Sequence, residues 1–336
     1  MPACGSIFDP GALAVHGGRL GAARARFAAA PEPWLDLSTG VNPRPYPAPR
    51  ASAAARARLP DPEETHALEL AAARAFGCSP ERVLATPGGE AAIRLVAGAI
   101  GARTVAIASP TYGGHAAAWR EVGAEVLEIP RAQLTQATAD VRVLVNPNNP
   151  DGAVAFPPTV AALAPDGGWL VVDEAFVEAA PELSVAALDL DRTIVLRSFG
   201  KFYGLAGLRL GFIVAAPPLI AGLRGRQGEW PISADALAAG LAAYADAGWG
   251  ARTRTRLVRG AERLDRLLIG AGLDLVGGIS LFRLAAAADA TRRFERLASR
   301  GVLVRPFAHD ARLLRFGLPP AGAWSRLAEA LMESRP

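Results

Sequence analysis

Short runs of Val, Ile and Leu, each bounded by turn residues, alternate with longer alanine-rich amphipathic stretches through the middle of this chain. Brief branched-apolar runs read as strands buried on both faces, whereas apolar residues three and four apart read as helices packed on such strands. The pattern predicts strands at RVLAT (82–86), TVAIAS (104–109), AEVLEI (124–129), VRVLVN (141–146), WLVVDEA (169–175), TIVLRS (193–198) and LRLGFIVA (208–215). Between them, Glu63 to Phe76, Gly89 to Ile100 and Gly113 to Val122 read as helices, with Pro60 and Pro62 punctuating the start of the first. After about Gly250 the rhythm changes to a long helix from Ala251 to Ile269, strand-like LFRLAA, a helix from Ala288 to Ser299, strand-like VLVRPF and LLRFGL, and a last helix from Ala323 to Met332.

Strand-helix alternation of this kind predicts an α/β fold: a large domain over residues 41–250, its mostly parallel sheet sandwiched by helices, and a small α+β C-terminal domain over 251–336. Residues 1–40 hold too little patterned apolar sequence for a domain of their own, so they are expected to form an arm packing on the small domain or the active site. Several predicted strands end in a motif-like turn, which is where open α/β sheets hold their ligands.

Composition narrows the class. With 336 residues, 51% of them hydrophobic and 20% charged, the chain reads as globular and able to bury a large core. The net charge is +4, but the basic residues are scattered among 32 acids, which argues against a nucleic-acid partner. No apolar run is long enough to span a bilayer, and the first residues lack the basic-then-apolar order of a secretory signal. Cys4 and Cys78 alone make neither a disulfide framework nor a metal cluster, so a cytoplasmic protein with no metal and no membrane partner is expected.

One count changes the picture more than any of these: there are 35 arginines and a single lysine, Lys201. A guanidinium keeps its proton near neutral pH, whereas a desolvated ammonium can become an amine that attacks a carbonyl. Lys201 lies in SFGKFYGLAGLR, three residues after Ser198 and eight before Arg209. A hydroxyl and a guanidinium at those distances could grip a phosphate while the amine meets an adjacent aldehyde. Upstream, TPGGEAAI (86–93) runs from a strand end through two glycines into a helix, a turn whose exposed N–H groups attract phosphate. Further motifs are SPTYGG (109–114), NPNNPDG (146–152) and VVDEAF (171–176).

In that order, these motifs resemble the aspartate aminotransferase-like, fold type I enzymes that use pyridoxal 5′-phosphate (PLP), and the resemblance covers nearly the whole chain. It implies Lys201 as the residue that carries the cofactor and Asp173 as the carboxylate against the ring nitrogen, where it keeps the pyridine protonated and able to take up electrons. It implies cofactor contacts from Gly88, Gly89, Glu90, Tyr112 (stacked on the ring), Asn149 (on the phenolic oxygen), Ser198 and Arg209. Phe176 stands where many relatives have a tyrosine, and Leu59 where many have a tyrosine that reaches a neighbouring subunit. For the substrate, the resemblance implies Arg315 in LLRFGLP on the α-carboxylate, with Arg305 as a second arm, and His16 and Gly17 in VHGG on a substrate phosphate.

Within the family the chain is most similar to the branch that holds histidinol-phosphate aminotransferases and threonine-phosphate decarboxylases. VHGG (15–18), WLDLSTGVNPRPYP (34–47), the Phe of DEAF and LRFGLP point to the decarboxylases. The reaction implied is loss of CO2 from L-threonine O-3-phosphate to give (R)-1-amino-2-propanol O-2-phosphate for cobalamin biosynthesis, in a homodimer. A histidinol-phosphate-type aminotransferase and a non-catalytic PLP-binding regulatory module are the alternatives.

Overall fold

The computed structural model describes Leu13 and residues 16–334. The rest of the expected N-terminal arm, including Cys4 and Val15 of VHGG, lies outside the described residues, as do the last two positions. The chain divides into two compact units: one is Pro45–Arg254, and the other joins the residues up to Arg44 with those from Thr255 onward. These boundaries compare with the expected 40/41 and 250/251. The second falls inside the helix Ala247–Gly270, where neither composition nor periodicity changes to mark it.

Strand β1 (Leu35–Asp36) belongs to the second of these units. The next seven strands build the sheet of the Pro45–Arg254 unit: β2 (Val83–Thr86), β3 (Thr104–Ser109), β4 (Glu125–Pro130), β5 (Val141–Val145), β6 (Trp169–Asp173), β7 (Thr193–Ser198) and β8 (Gly211–Val214). Their order is β2-β8-β7-β6-β5-β3-β4, and only β8 runs against its neighbours. The central strands are buried nearly throughout, which is why they read as continuous apolar runs. The helix Gly89–Ile100 lays Ala92, Ile93, Val96 and Ala97 into the core that contains Ile107, Leu196 and Ile213.

Local chemistry sets the element ends. The helix Pro62–Phe76 starts at a reciprocal Asp61–Glu64 capping box with proline in its first turn, and stops at Gly77 in the left-handed region, φ 71°. The predicted strand 208–215 shrinks to Gly211–Val214 because Ala206–Leu208 forms a 3-10 turn and Arg209 takes φ 55°. The helices Pro217–Gln227 and Ala234–Ala245 were not legible in the apolar pattern; the second is so rich in alanine that it has no polar face to give a period.

The other unit holds a four-stranded antiparallel sheet of β9 (Asp274–Ile279), β10 (Phe282–Ala286), β12 (Arg305–Pro306) and β13 (Leu313–Gly317) in the order β12-β13-β10-β9. Strand β11 (Val302–Leu303) pairs with β1 in parallel. Helices Ala290–Ser299 and Trp324–Glu333 belong to this unit. Among the described residues no helix is long and apolar enough to cross a membrane.

Candidate active site

In the Pro45–Arg254 unit, the predicted residues gather at one edge of the sheet. Asp173 ends β6, Ser198 ends β7, and the turns after β2, β3 and β5 carry Gly88–Gly89, Tyr112 and Asn149. Because β8 runs back between β2 and β7, Gly211 stands in register with both Thr86 and Ser198, which brings the Arg209 turn to the same edge.

Gly88 and Gly211 at this edge are there for close approach. Gly88 has φ 95°, and a Cβ on it would come 2.5 Å from Nη2 of Arg209. A Cβ on Gly211 would come 2.8 Å from the backbone carbon of Gly88 and from the nitrogen of Gly89. A Cβ on Gly89 would meet the Ser198 Cβ at 3.9 Å. The start of the twelve-residue helix Gly89–Ile100, the Ser198 side chain and the Arg209 guanidinium are thus packed together, a donor set and charge that fit a phosphate.

Asp173 is buried and its two oxygens have separate donors. Oδ1 accepts from the Ala175 N–H at 2.9 Å, and Oδ2 lies 2.8 Å from Nε2 of the fully buried His115. An ionised carboxylate only accepts, so His115 presents Nε2–H to it. The other ring nitrogen, Nδ1, is buried with no hydrogen-bond partner among the described residues. These two bonds hold the Asp173 carboxylate in one orientation. Sequence reasoning missed His115; its signal was its place immediately after SPTYGG, as one of only four histidines.

Tyr112 is held as firmly. Its hydroxyl donates to Oε2 of Glu90 at 2.9 Å, its ring meets His115 edge-on at 6.3 Å, and it lies so close to Gly114 that no Cβ fits there. Glu90, expected to contact the cofactor, thus has its carboxylate on Tyr112 and on Arg94, whose Nε donates to the other oxygen at 3.1 Å. Of the asparagines in NPNNPDG, Asn146 exchanges two bonds with the Ala155 backbone. Asn148 accepts from Thr111 at 2.7 Å and donates to the Pro110 carbonyl at 3.0 Å, which ties this turn to the tyrosine turn. Asn149 lies half-buried beside them.

Lys201 sits in the short helix Phe199–Phe202, its Nζ 5.8 Å from the centre of the Phe176 ring. The turn is anchored by aromatic packing: Tyr203 stacks on Phe199 at 4.4 Å and on Trp249 at 5.6 Å. Beneath, the buried Arg197 guanidinium binds Glu174 at 2.9 Å and also Glu178, and lies 4.2 Å over the Phe76 ring. Burial works against the charge of Arg197, but Glu178 and Glu174 outweigh it and hold the guanidinium above its ordinary pKa. Glu174 and Arg197 directly follow Asp173 and precede Ser198, so this ion group braces both strand ends.

In the other unit, Arg305 and Arg315 are direct partners across β12 and β13. Like charges facing each other in a ladder repel, and such a pair is stable where an anion bridges it. Arg315 is buried, donates from Nη2 to the Ser38 carbonyl at 2.6 Å and lies 5.0 Å over the Phe282 ring. Burial pushes its guanidinium down to about 9, Arg305 pushes the same way and Asp36 opposes. Gly17 packs against Ser38 so closely that a Cβ would strike the Ser38 carbonyl oxygen. His16 precedes it, half-buried.

This fold and these residues define a class, and the sequence matches the family Aminotransferase class I and II over residues 32–331. The chain belongs to that family. It is 40% identical to the threonine-phosphate decarboxylase of Pseudomonas aeruginosa over 94% of this chain and 97% of the relative. It is 29% identical to the histidinol-phosphate aminotransferase of Granulibacter bethesdensis over 76% of this chain and 74% of that relative. The histidinol-phosphate aminotransferase of Sinorhizobium meliloti, solved in complex with pyridoxal-5′-phosphate, shares the fold with a TM-score of 0.82 at 23% identity, covering 99% of this chain and 98% of that one.

Proposed function

We propose that this chain is a PLP-dependent carboxy-lyase that converts L-threonine O-3-phosphate into (R)-1-amino-2-propanol O-2-phosphate and CO2. The observation that carries this reading is the 40% identity to a threonine-phosphate decarboxylase over almost the full length of both chains, against 29% over three quarters for a histidinol-phosphate aminotransferase.

When bound, PLP supplies an aldehyde for the substrate amine and a protonated ring that takes up the electron pair left at Cα. The chain's own residues do the rest. The helix start at Gly88 and Gly89, with Ser198 and Arg209, holds the cofactor phosphate. Asp173, oriented by His115, would keep the ring nitrogen protonated, Tyr112 would pack on the ring and Asn149 would bind the phenolic oxygen. Arg315, with Arg305, takes the substrate carboxylate, and His16 and Gly17 take the substrate phosphate. Two anchors at opposite ends of one small molecule fix its torsions, and so choose which bond at Cα is aligned to break. With the Cα–carboxylate bond so aligned, CO2 would be the group lost, and the Lys201 side chain would be placed to return a proton to Cα. Phe176 leaves the phenolic side with one donor fewer than a tyrosine would give. A homodimer acting in the cytoplasm completes the reading.

Incubating the PLP-loaded protein with L-threonine O-3-phosphate and no keto acid is expected to yield the phosphorylated amine. Product formation strictly dependent on 2-oxoglutarate would overturn the proposal in favour of transamination.

A further inference from the structure

Ser38 has no part in the chemistry above, yet three chain segments meet on it. The stretch just before it is fixed on both sides: the Leu37 N–H donates to the Leu303 carbonyl at 2.8 Å, and the Leu37 carbonyl accepts from the Gly317 N–H at 2.6 Å, two residues beyond Arg315. Ser38 itself is buried. Its N–H and its hydroxyl both donate to Oδ1 of Asp36, at 2.9 and 2.6 Å. With the hydroxyl proton taken by Asp36, the oxygen's lone pairs face the Gly18 N–H, which donates to it at 2.8 Å. The Ser38 carbonyl accepts from Arg315, and Gly17 packs directly on that same carbonyl.

We infer that Ser38 is a positioning residue that couples the His16–Gly18 segment to the Arg315 guanidinium, so that the grip on one end of a doubly anionic substrate sets the grip on the other. The inference rests on the reading that Arg315 binds the substrate carboxylate and His16–Gly17 the phosphate. A hydroxyl is required because it alone can donate to Asp36 and accept from Gly18 at once. Alanine keeps the carbonyl that Arg315 uses but releases the segment, whereas threonine keeps every bond.

The test uses PLP-loaded wild type, Ser38→Ala, Ser38→Thr and Arg315→Lys. Backbone amide exchange of residues 16–18 is followed by mass spectrometry, alongside KM, kcat and binding of the product amine phosphate, which has no carboxylate. Ser38→Ala is expected to speed exchange at Gly18 about tenfold, to raise KM about tenfold with a smaller change in kcat, and to weaken the carboxylate-free ligand as well. Ser38→Thr should restore all three. Arg315→Lys should weaken the substrate strongly and, because coupling is reciprocal, the carboxylate-free ligand to a smaller degree through Ser38; if it leaves KM unchanged, the site reading fails and the coupling with it. If Arg315→Lys behaves as expected while Ser38→Ala exchanges and binds like wild type, the coupling alone is overturned. Should Ser38→Ala fail to fold, Ser38→Cys, which leaves only a weak donor and acceptor at that position, serves instead: faster exchange at Gly18 together with weaker binding of the carboxylate-free ligand supports the coupling, and no change in either overturns it.

Discussion

Gly211→Ala isolates the close packing of the phosphate turn in a single methyl group. The new Cβ would stand 2.8 Å from the Gly88 carbon and the Gly89 nitrogen and 2.9 Å from the Arg197 oxygen, against 3.4 Å for ordinary contact. Every one of these atoms is backbone, so no side chain can swing away, and the turn must retreat by about 0.6 Å. Overpacking of this kind costs about 1–3 kcal/mol of stability. The retreat also misaligns the N–H groups at the helix start, where a bond to a charged oxygen contributes about 1.5–3 kcal/mol. PLP affinity should therefore fall about ten- to a hundredfold. Gly207→Ala is the control, since it makes the same chemical change where nothing lies within 4 Å. The assay is titration of cofactor-free protein with PLP, followed by the visible absorbance of the lysine-linked form, with melting of the cofactor-free proteins measured in parallel. If Gly211→Ala binds PLP as tightly as Gly207→Ala and melts at the same temperature, the turn is not packed as described and the reasoning is refuted.

Other outcomes follow from the same geometry. His115→Phe removes the donor that orients Asp173, and should lower kcat at least tenfold while PLP still binds; an unchanged kcat would show that the pair is not used. Glu90→Ala should loosen Tyr112 and weaken the circular dichroism of bound PLP, whereas Glu90→Gln, which keeps an acceptor oxygen, should retain most of it; equal signals in the two variants would contradict the role of that bond. Arg197→Met leaves Glu174 and Glu178 facing each other in the interior, and should destabilise the fold by about 3–5 kcal/mol in denaturant melts; a loss under 1 kcal/mol would show that the ion group does not brace the strand ends.

Much of this arrangement was legible in the sequence because it rests on short-range physics. β3 and β7 were readable to the residue, since buried parallel strands are unbroken apolar runs ending at turns. The phosphate turn and the lysine segment were readable because glycine, serine and a lone lysine have few other reasons to occur in that order. Side chains that act through a second residue were not. His115 looks like any helical histidine until β6 brings Asp173 to its ring, and Glu90 looks like a phosphate-turn residue until its carboxylate turns to Tyr112. The facing of Arg305 and Arg315 depends on the register of two strands, and nothing local specifies that register among 35 arginines. Ser38 is more hidden still, because besides the nearby Asp36 its partners lie 20 and 277 positions away.

The central claim is that the carboxylate, not the α-proton, leaves Cα. L-threonine O-3-phosphate labelled in its carboxylate and supplied to the PLP-loaded protein without any keto acid tests it most directly. The account predicts one labelled CO2 for each phosphorylated amine formed, with both abolished in Lys201→Ala. Label retained in a phosphorylated keto acid, formed only when an amino acceptor is added, would contradict it.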